Sequence, residues 1–429
     1  MQGRPPETGN SLTRHKAPAT SVTGALLCLP TILNAFKLIC LYCQPVLEFE
    51  IRIFTGRDQL MATTPFMLLC GTLLGLAAGF IMHRSDFCLA GMFRDLFLFR
   101  SAFKLRILLL LIITSTILFE IARLTGLIRI YPFPLLSSPS LAAPLGGMLF
   151  GIGMVLAGGC VVGSLYKTGT GSVPSLVALA GLVAGSAIFA EIAPWWSSVN
   201  GAAIFLKGKI TLAEALGINP SVPAGVAVAA ALPCFVLICR RGGWVRPTYT
   251  EGALQPWLAA LLLALIGLIS AIAIGMPMGI TTSYAKAAAM VEAALCPAHY
   301  ESLKFFQAMP LQYTHPLTGT LLRGGPGKEL DAVALVQFPL ILGIIAGGAL
   351  SASLLGEFSI RLKLPPRQYL SAAVGGILMG LASRMGAGCN VWHLLGGLPI
   401  MALQSVLFLV GLLPGAWLGT RLLTRFVIR

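Results

Sequence analysis

The sequence predicts an all-α, polytopic membrane protein: a helical bundle of inverted-topology pseudo-repeats, with short re-entrant helices meeting at a central path. Three observations predict it. The 429 residues are 56% apolar and only 10% charged, with a mean hydropathy of +0.86. The apolar residues fall into about ten runs of membrane-crossing length. A glycine-cysteine motif recurs at fixed spacing. A soluble domain carries about 25% charged residues, so a soluble enzyme, a nucleic-acid binder and a disordered scaffold are excluded.

A crossing needs roughly 20 mostly apolar residues. Candidate spans are 24–46, 62–82, 106–126, 142–163, 173–194, 222–240, 255–274, 334–355, 369–386 and 401–421. Gly and polar residues interrupt several of them, which predicts additional short re-entrant helices. Residues 1–60 read as an N-terminal extension with an extra helix at 24–46. No A-x-A site follows that apolar run, which favours a retained helix over a signal peptide. The pseudo-repeats divide the rest into a first half at 61–200, a connecting segment at 201–250 and a second half at 251–429.

The net charge of +15 reflects 30 Lys and Arg against 15 Asp and Glu. Cytoplasmic loops of membrane proteins accumulate such cations, so nucleic acid is not implied. Four basic clusters set the orientation: Arg94, Arg100, Lys104 and Arg106; Arg240, Arg241 and Arg246; Arg361, Lys363 and Arg367; and Arg421, Arg425 and Arg429. With all four in the cytoplasm, ten spans place both termini inside. The 131–140, 195–220 and 296–330 segments then lie outside, with Trp195 and Trp196 in an interfacial aromatic belt.

The internal repeat carries the chemistry. Gly75 and Gly79 precede Cys88, Gly147 and Gly151 precede Cys160, and Gly376 and Gly380 precede Cys389, each as G-x3-G-x8-C. Gly275 and Gly279 begin a fourth copy, with Ala288 in the cysteine position. Small residues four apart let membrane helices approach closely, and any G-x3-G alone means no more than that. A cysteine at one offset in three copies requires more, and marks the three thiols as functional. In the orientation above, the first two copies run inward and the last two outward. Inverted repeats of this kind characterise transporters, with the site at their interface.

Around these cysteines lie the other candidate site residues. Arg84 and Asp86 flank the first break, either as an ion pair or as an interfacial cluster; Arg94 and Asp95 form a second pair. Gly159 and Gly388 open helix breaks whose free amides suit an anion. Lys167 and Arg384 supply positive charge nearby. Asn390 and His393 follow Cys389, His393 being either a satisfied buried histidine or a substrate contact. Thr281 and Thr282 replace the thiol in the third copy, to donate to an anion or to cap the broken helix. Cys40 and Cys43 form a CxxC without a recognisable redox fold, and Cys28, Cys70, Cys234, Cys239 and Cys296 read as filler. Glu120 and Glu191 lie near span ends and need no function. The sequence contains no Walker motif, Rossmann fingerprint or zinc-ligand spacing. No cofactor, resident metal, catalytic residue or ATP-driven step is therefore expected.

At these residues the chain resembles the YeeE/YedE family of bacterial sulphur-transport proteins, which includes thiosulfate permeases and proposed selenium transporters. The resemblance rests on SDFCLAGMFRD around Cys88, GIGMVLAGGCVVGSLYKTGTGS around Cys160, GITTS at 279–283 and GLASRMGAGCNVW around Cys389. It covers 66–290 and 335–421, leaving 1–60 and 296–330 without a counterpart. It implies a pseudo-symmetric bundle in the bacterial inner membrane that imports thiosulfate or a related small sulphur-containing anion past cysteines matching Cys88, Cys160 and Cys389. A small cytoplasmic sulphur-carrier protein or a rhodanese is the expected kind of partner, beside the lipid bilayer. A selenium cargo, and a membrane thiol enzyme relaying sulphane sulphur, are the alternative readings.

The chemistry agrees with that implication. Thiosulfate is a compact dianion with a soft terminal sulphur. A thiol of ordinary acidity, about 8.5, is protonated at neutral pH and can offer its S–H to that sulphur, whereas a thiolate would repel it. Several weak contacts in series also permit release.

Overall fold

Leu, Ile, Val and Ala dominate runs of twenty or more residues here, and a lipid-facing backbone can satisfy its own N–H and C=O groups only as a helix. The computed structural model describes residues 56–240, 252–360, 362 and 364–428, all within one compact unit, Phe54–Arg429. Its helices are α1 Gly56–Arg84, α2 Leu89–Leu98, α3 Phe103–Leu124, α4 Ala142–Leu156, α5 Val161–Gly169, α6 Val173–Ala202, α7 Leu212–Leu216, α8 Ser221–Arg240 and α9 Pro256–Ile274. Then come α10 Thr282–Leu295, α11 Pro297–Ser302, α12 Lys304–Gln307, α13 Ala332–Leu354 and α14 Pro366–Met385. A wide π-helical turn α15, Trp392–Gly397, precedes α16, Leu403–Leu423. Between α12 and α13 lies an antiparallel hairpin, β1 Leu311–Thr314 and β2 Leu321–Gly324, which departs from the all-helical expectation.

Seven stretches among the described residues are helical, long and apolar enough to cross a membrane: Thr63–Leu98, Phe103–Leu124, Ala142–Gly169, Val173–Ala202, Pro256–Ile274, Ala332–Leu354 and Leu403–Val427. They coincide with seven of the ten sequence candidates. The 222–240 and 369–386 candidates are helices α8 and α14 without reaching that criterion. The 24–46 candidate, with Cys28, Cys40 and Cys43, lies outside the described residues.

Four long helices each give way, across a short break, to a short helix: α1 to α2, α4 to α5, α9 to α10 and α14 to α15. Their packing is reciprocal. Helix α1 packs on α13 and α9 on α3, while α4 packs on α16 and α14 on α6; α4 and α14 also meet each other. The glycine motifs make these contacts. A methyl group on Gly75 or Gly79 would overlap the Leu340 or Ile344 carbonyl of α13. Gly147 and Gly151 face Phe408 and Leu412 of α16, and Gly376 and Gly380 face Ala178 and Leu182 of α6 in the same way. Backbones thus touch directly, with Cα–H groups against carbonyls.

The third copy differs. Gly275 ends α9 in a left-handed conformation, φ 84°, and Gly279 abuts the Trp392 ring. Neither packs helix on helix. Ala288 lies six residues inside α10, buried beside Ala190 and Tyr300, and is not at a break. The residue that precedes the short helix, as the cysteines do, is Thr281. The alignment of Ala288 with the cysteines is therefore wrong by seven positions, because Gly275 and Gly279 lie in the break itself and not inside the preceding helix.

Trp195 is exposed, as a belt residue would be, but Trp196 is buried against Ala142, Phe189 and Ala193. His315 is buried in the hairpin turn, where its Nδ1 accepts the amides of Leu317 and Thr318 at 3.4 and 3.3 Å. Those bonds require a neutral ring.

Overpacking of a close helix contact costs about 1–3 kcal/mol. Gly79→Ala should therefore lower the melting temperature in detergent by several degrees. Gly225→Ala, where no atom lies within 4 Å of the added methyl, should leave it within a degree or two, about the spread of neutral surface changes. Burial also lowers the His315 pKa from 6.5 to about 4. The folded hairpin refuses a proton that the unfolded chain accepts, so this stabilisation is complete above the ordinary value and declines as the pH falls toward 4. Between about pH 7.5 and pH 5, the intact protein should lose more melting temperature than His315→Gln; equal losses would contradict the assignment.

Candidate functional site at four helix breaks

The three cysteine breaks share one geometry. The residue two before each cysteine is left-handed: Asp86 at φ 49°, Gly158 at 71° and Ala387 at 56°. The next residue turns back on the helix just ended, with Phe87 N–H donating to Met82 at 3.0 Å, Gly159 to Met154 at 3.1 Å and Gly388 to Ser383 at 2.8 Å. This is a Schellman closure, which satisfies the orphan carbonyls of the helix end. The cysteine then precedes a new helix. Cys88 and Cys160 are its N-cap residues, and the chain turns helical again at Asn390, directly after Cys389.

Each thiol consequently lies near the free amides of a short helix. Cys160 Sγ accepts the Gly163 N–H at 3.4 Å. Cys88 Sγ lies by the Gly91 amide, and Cys389 Sγ by those of Val391 and Trp392, without the geometry of full hydrogen bonds. A sulphur that accepts an amide keeps its own S–H free to donate.

The breaks also come together. A methyl group on Gly163 would meet Cys88 Sγ at 2.8 Å and Cys160 Sγ at 3.4 Å, so the first two thiols are neighbours. Cys160 is within electrostatic reach of Cys389, and Cys389 within reach of Arg384 and Tyr284. Arg384 crosses to the third break, donating from Nη2 to Thr281 at 2.6 Å and from Nη1 to Thr282 at 3.4 Å. Trp392 packs on Gly279, and Pro277 on Gly396. The three thiols are buried, at 3%, 0% and 0% exposure, so in this conformation the centre is closed.

Other candidates are placed differently. Lys167 Nζ donates to the Gly158 carbonyl at 2.7 Å and braces the second break. Gly159 and Gly388 leave room for neighbours; a methyl there would press Ser164 Oγ at 3.2 Å and Trp392 Cδ1 at 2.5 Å. Asn390 is fully buried. His393 has both ring nitrogens occupied, Nδ1 by Ser405 Oγ at 2.9 Å and Nε2 by the Gly386 carbonyl at 3.1 Å, and it stacks on Phe408. Arg84 does not pair with Asp86. It donates to the Gly252 carbonyl at 2.8 Å and lies over the Phe80 ring, while Asp86 pairs with Lys104 at 3.0 Å. Left-handed Asp86 follows the end of α1, and Lys104 bridges it to Asp95, itself paired with Arg94.

Several polar groups here, all but Asn390, have no counterpart in the sequence reading. Ser164 Oγ, Tyr166 OH, Tyr284 OH, Trp392 Nε1 and both polar atoms of Asn390 are buried without a hydrogen-bond partner. Lys286, wholly buried, binds Asp331 at 2.8 Å and the carbonyls of Gly327 and Glu329. Asp331 in turn accepts Gly325 N–H and caps α13 through Val333 and Ala334. A lone lysine in the apolar run AKAAAM and an aspartate just before AVALVQF were the visible signals for that pair.

A bundle of apolar, membrane-length helices whose broken ends are buried together is an architecture that transporters use. The chain belongs to the sulphur-transport family, whose sequence profile, described as "Sulphur transport", matches residues 84–418. It is 30% identical over 373 residues to the thiosulfate transporter TsuA of Spirochaeta thermophila, covering 82% of this chain and 97% of that one. It is 26% identical over 367 residues to TsuA of Escherichia coli, covering 82% and 93%. A shorter likeness, 28% over 185 residues, joins it to the probable transporter YedE of Salmonella typhimurium, covering 43% of each chain.

Gly163 is where the first two thiols are closest, so Gly163→Ala should separate them by a few tenths of an ångström while changing no donor. The expected outcome is normal membrane insertion with sulphur uptake reduced at least about fivefold, a loss of roughly 1 kcal/mol in transition-state terms. Undiminished uptake would show that the Cys88–Cys160 contact has no part in transport.

Proposed function

We propose that the protein imports thiosulfate, or a related small sulphur-containing anion, across the bacterial inner membrane along a path lined by Cys88, Cys160 and Cys389. The observation that carries the reading is the convergence of three thiols, each at the same position of the same helix break. A purely structural cysteine needs no such repetition. The first half at 61–200 and the second at 251–429 form the inverted repeat, with both termini in the cytoplasm. The reciprocal packing of α1 on α13 with α9 on α3, and of α4 on α16 with α14 on α6, supports that symmetry.

Passage follows from the local chemistry. The protonated thiols donate weakly to the terminal sulphur and hand it from Cys88 and Cys160 toward Cys389, or the reverse. Short-helix amides offset the negative charge, as helix N-termini do. Arg384 adds a full positive charge, while Lys167, held on Gly158, fixes the second break. His393 holds the fourth break in place through Ser405 and Gly386. Because the thiols are closed off in this conformation, the breaks must part to admit substrate. Cytoplasmic consumption, by a sulphur-carrier protein or a rhodanese, would draw the anion inward.

The test is growth of a sulphur-auxotrophic host, lacking its own uptake systems, on thiosulfate as sole sulphur source. The intact protein should support growth, and Cys160→Ala at equal membrane levels should not. Equal growth of both would discard the thiol path. No growth with well-inserted intact protein would remove thiosulfate as the cargo.

A further inference from the structure

The buried centre is chemically lopsided. On the first-half side are two thiols, Cys88 and Cys160, with the hydroxyls of Ser164 and Tyr166. On the second-half side are a guanidinium, an amide, an indole N–H and a phenol: Arg384, Asn390, Trp392 and Tyr284. Cys389 lies between, in reach of Cys160 on one side and of Arg384 and Tyr284 on the other.

The second side is incomplete without a ligand. Among the described residues Arg384 has no carboxylate partner; its two bonds go to the neutral hydroxyls of Thr281 and Thr282, and its Nε is buried with nothing to donate to. A guanidinium enclosed without an anion is costly. Asn390 is wholly buried, yet neither its Oδ1 nor its Nδ2 has a partner, and Trp392 Nε1 and Tyr284 OH are orphaned likewise at 6% and 7% exposure. Each unmade buried bond costs roughly 1–3 kcal/mol, so natural proteins leave few of them. Three orphaned donor-bearing side chains at the same helix breaks as this unpaired cation constitute a site for an oxyanion. Hydrogen bonds to a charged acceptor are about twice as strong as neutral ones, so an entering anion would displace the threonine hydroxyls from Arg384.

We infer that Arg384, Asn390, Trp392 and Tyr284 form an oxyanion pocket that binds the oxygen end of the substrate, while the thiols take its terminal sulphur. The inference rests on the thiosulfate reading above and sharpens it. The cargo is a two-ended anion, with a soft sulphur at one end and two or more oxygens at the other. Hydrosulfide offers only the soft end and leaves the pocket unpaired; sulfate offers only oxygens and leaves the thiols without a soft acceptor. A site built to hydrogen-bond a group discriminates strongly against an analogue lacking it.

The test measures radiolabelled thiosulfate binding to the full-length protein in detergent, with hydrosulfide and sulfate as competitors, for the intact chain, Asn390→Leu and Trp392→Phe. Asn390→Leu replaces an unpartnered buried amide by an apolar group of similar size, so a ligand-binding role predicts a raised melting temperature together with about tenfold weaker thiosulfate binding. Trp392→Phe, which removes the indole N–H, should weaken thiosulfate severalfold. In both variants competition by hydrosulfide should be unchanged relative to the intact chain, and competition by sulfate weakened. Unchanged thiosulfate binding in both variants, or a parallel loss of thiosulfate and hydrosulfide binding, overturns the oxyanion pocket. If the intact protein binds no thiosulfate at all, the parent reading fails instead. Should Asn390→Leu not fold, Trp392→Phe decides alone.

Discussion

A helix that stops inside a bilayer exposes backbone N–H and C=O groups that lipid cannot satisfy, and everything else in this fold answers that constraint. Four of the long helices here stop at a break buried within the protein. Each end must be closed by its own turn, covered by protein, or both. The Schellman bonds at Phe87, Gly159 and Gly388 close the outgoing carbonyls. Among the incoming amides, that of Gly163 is taken by the Cys160 sulphur. Covering the breaks requires neighbouring helices to approach at backbone distance, and this explains why glycines sit against carbonyls along α1, α4 and α14. Glycine packing and cysteine placement are thus one device: the first brings the walls together, the second occupies what they enclose.

The distribution of hydrogen bonds separates scaffold from site. Away from the centre, several buried polar groups are thoroughly engaged. Lys286 has a carboxylate and two carbonyls, Asp331 serves a lysine and three amides, and Gln337 accepts both the N–H and the hydroxyl of Ser283. His393 is held at both nitrogens. Next to the thiols the pattern reverses, with Ser164, Tyr166, Tyr284, Asn390 and Trp392 all unsatisfied. Single orphans also occur elsewhere, at Arg84 Nε, Ser115 Oγ and His315 Nε2, but the larger group gathers around the helix breaks, where a bound anion could supply partners.

This contrast also explains what the sequence could disclose. Cys88, Cys160 and Cys389 were legible because an identical break places its N-cap residue at an identical distance from the packing glycines. Their G-x3-G pairs were legible as helix contacts for the same reason. The third copy misled because Gly275 and Gly279 have the right spacing but the wrong role: one ends a helix and the other makes room for Trp392. Spacing alone cannot tell a glycine that packs from one that turns. Arg84 misled differently, since the carbonyl that takes its charge belongs to Gly252, 168 residues away. Tyr284 and Trp392 were invisible as a pair because only the folding of two distant breaks onto each other makes them neighbours.

The left-handed residues before the cysteines show where the closed centre stores its strain. Gly158 adopts this conformation freely and aspartate tolerates it, but Ala387 carries a β-carbon into it at a cost of roughly 1–2 kcal/mol. Asp86 and Ala387 both adjoin buried thiols, but only Asp86 has a side-chain bond to hold it, its ion pair with Lys104; Ala387 has none to offer. The second break, with glycine at the same position and Lys167 locked onto its carbonyl, carries no comparable strain. The strain is therefore concentrated at the fourth break, the one that also carries Arg384 and the orphaned Asn390 and Trp392.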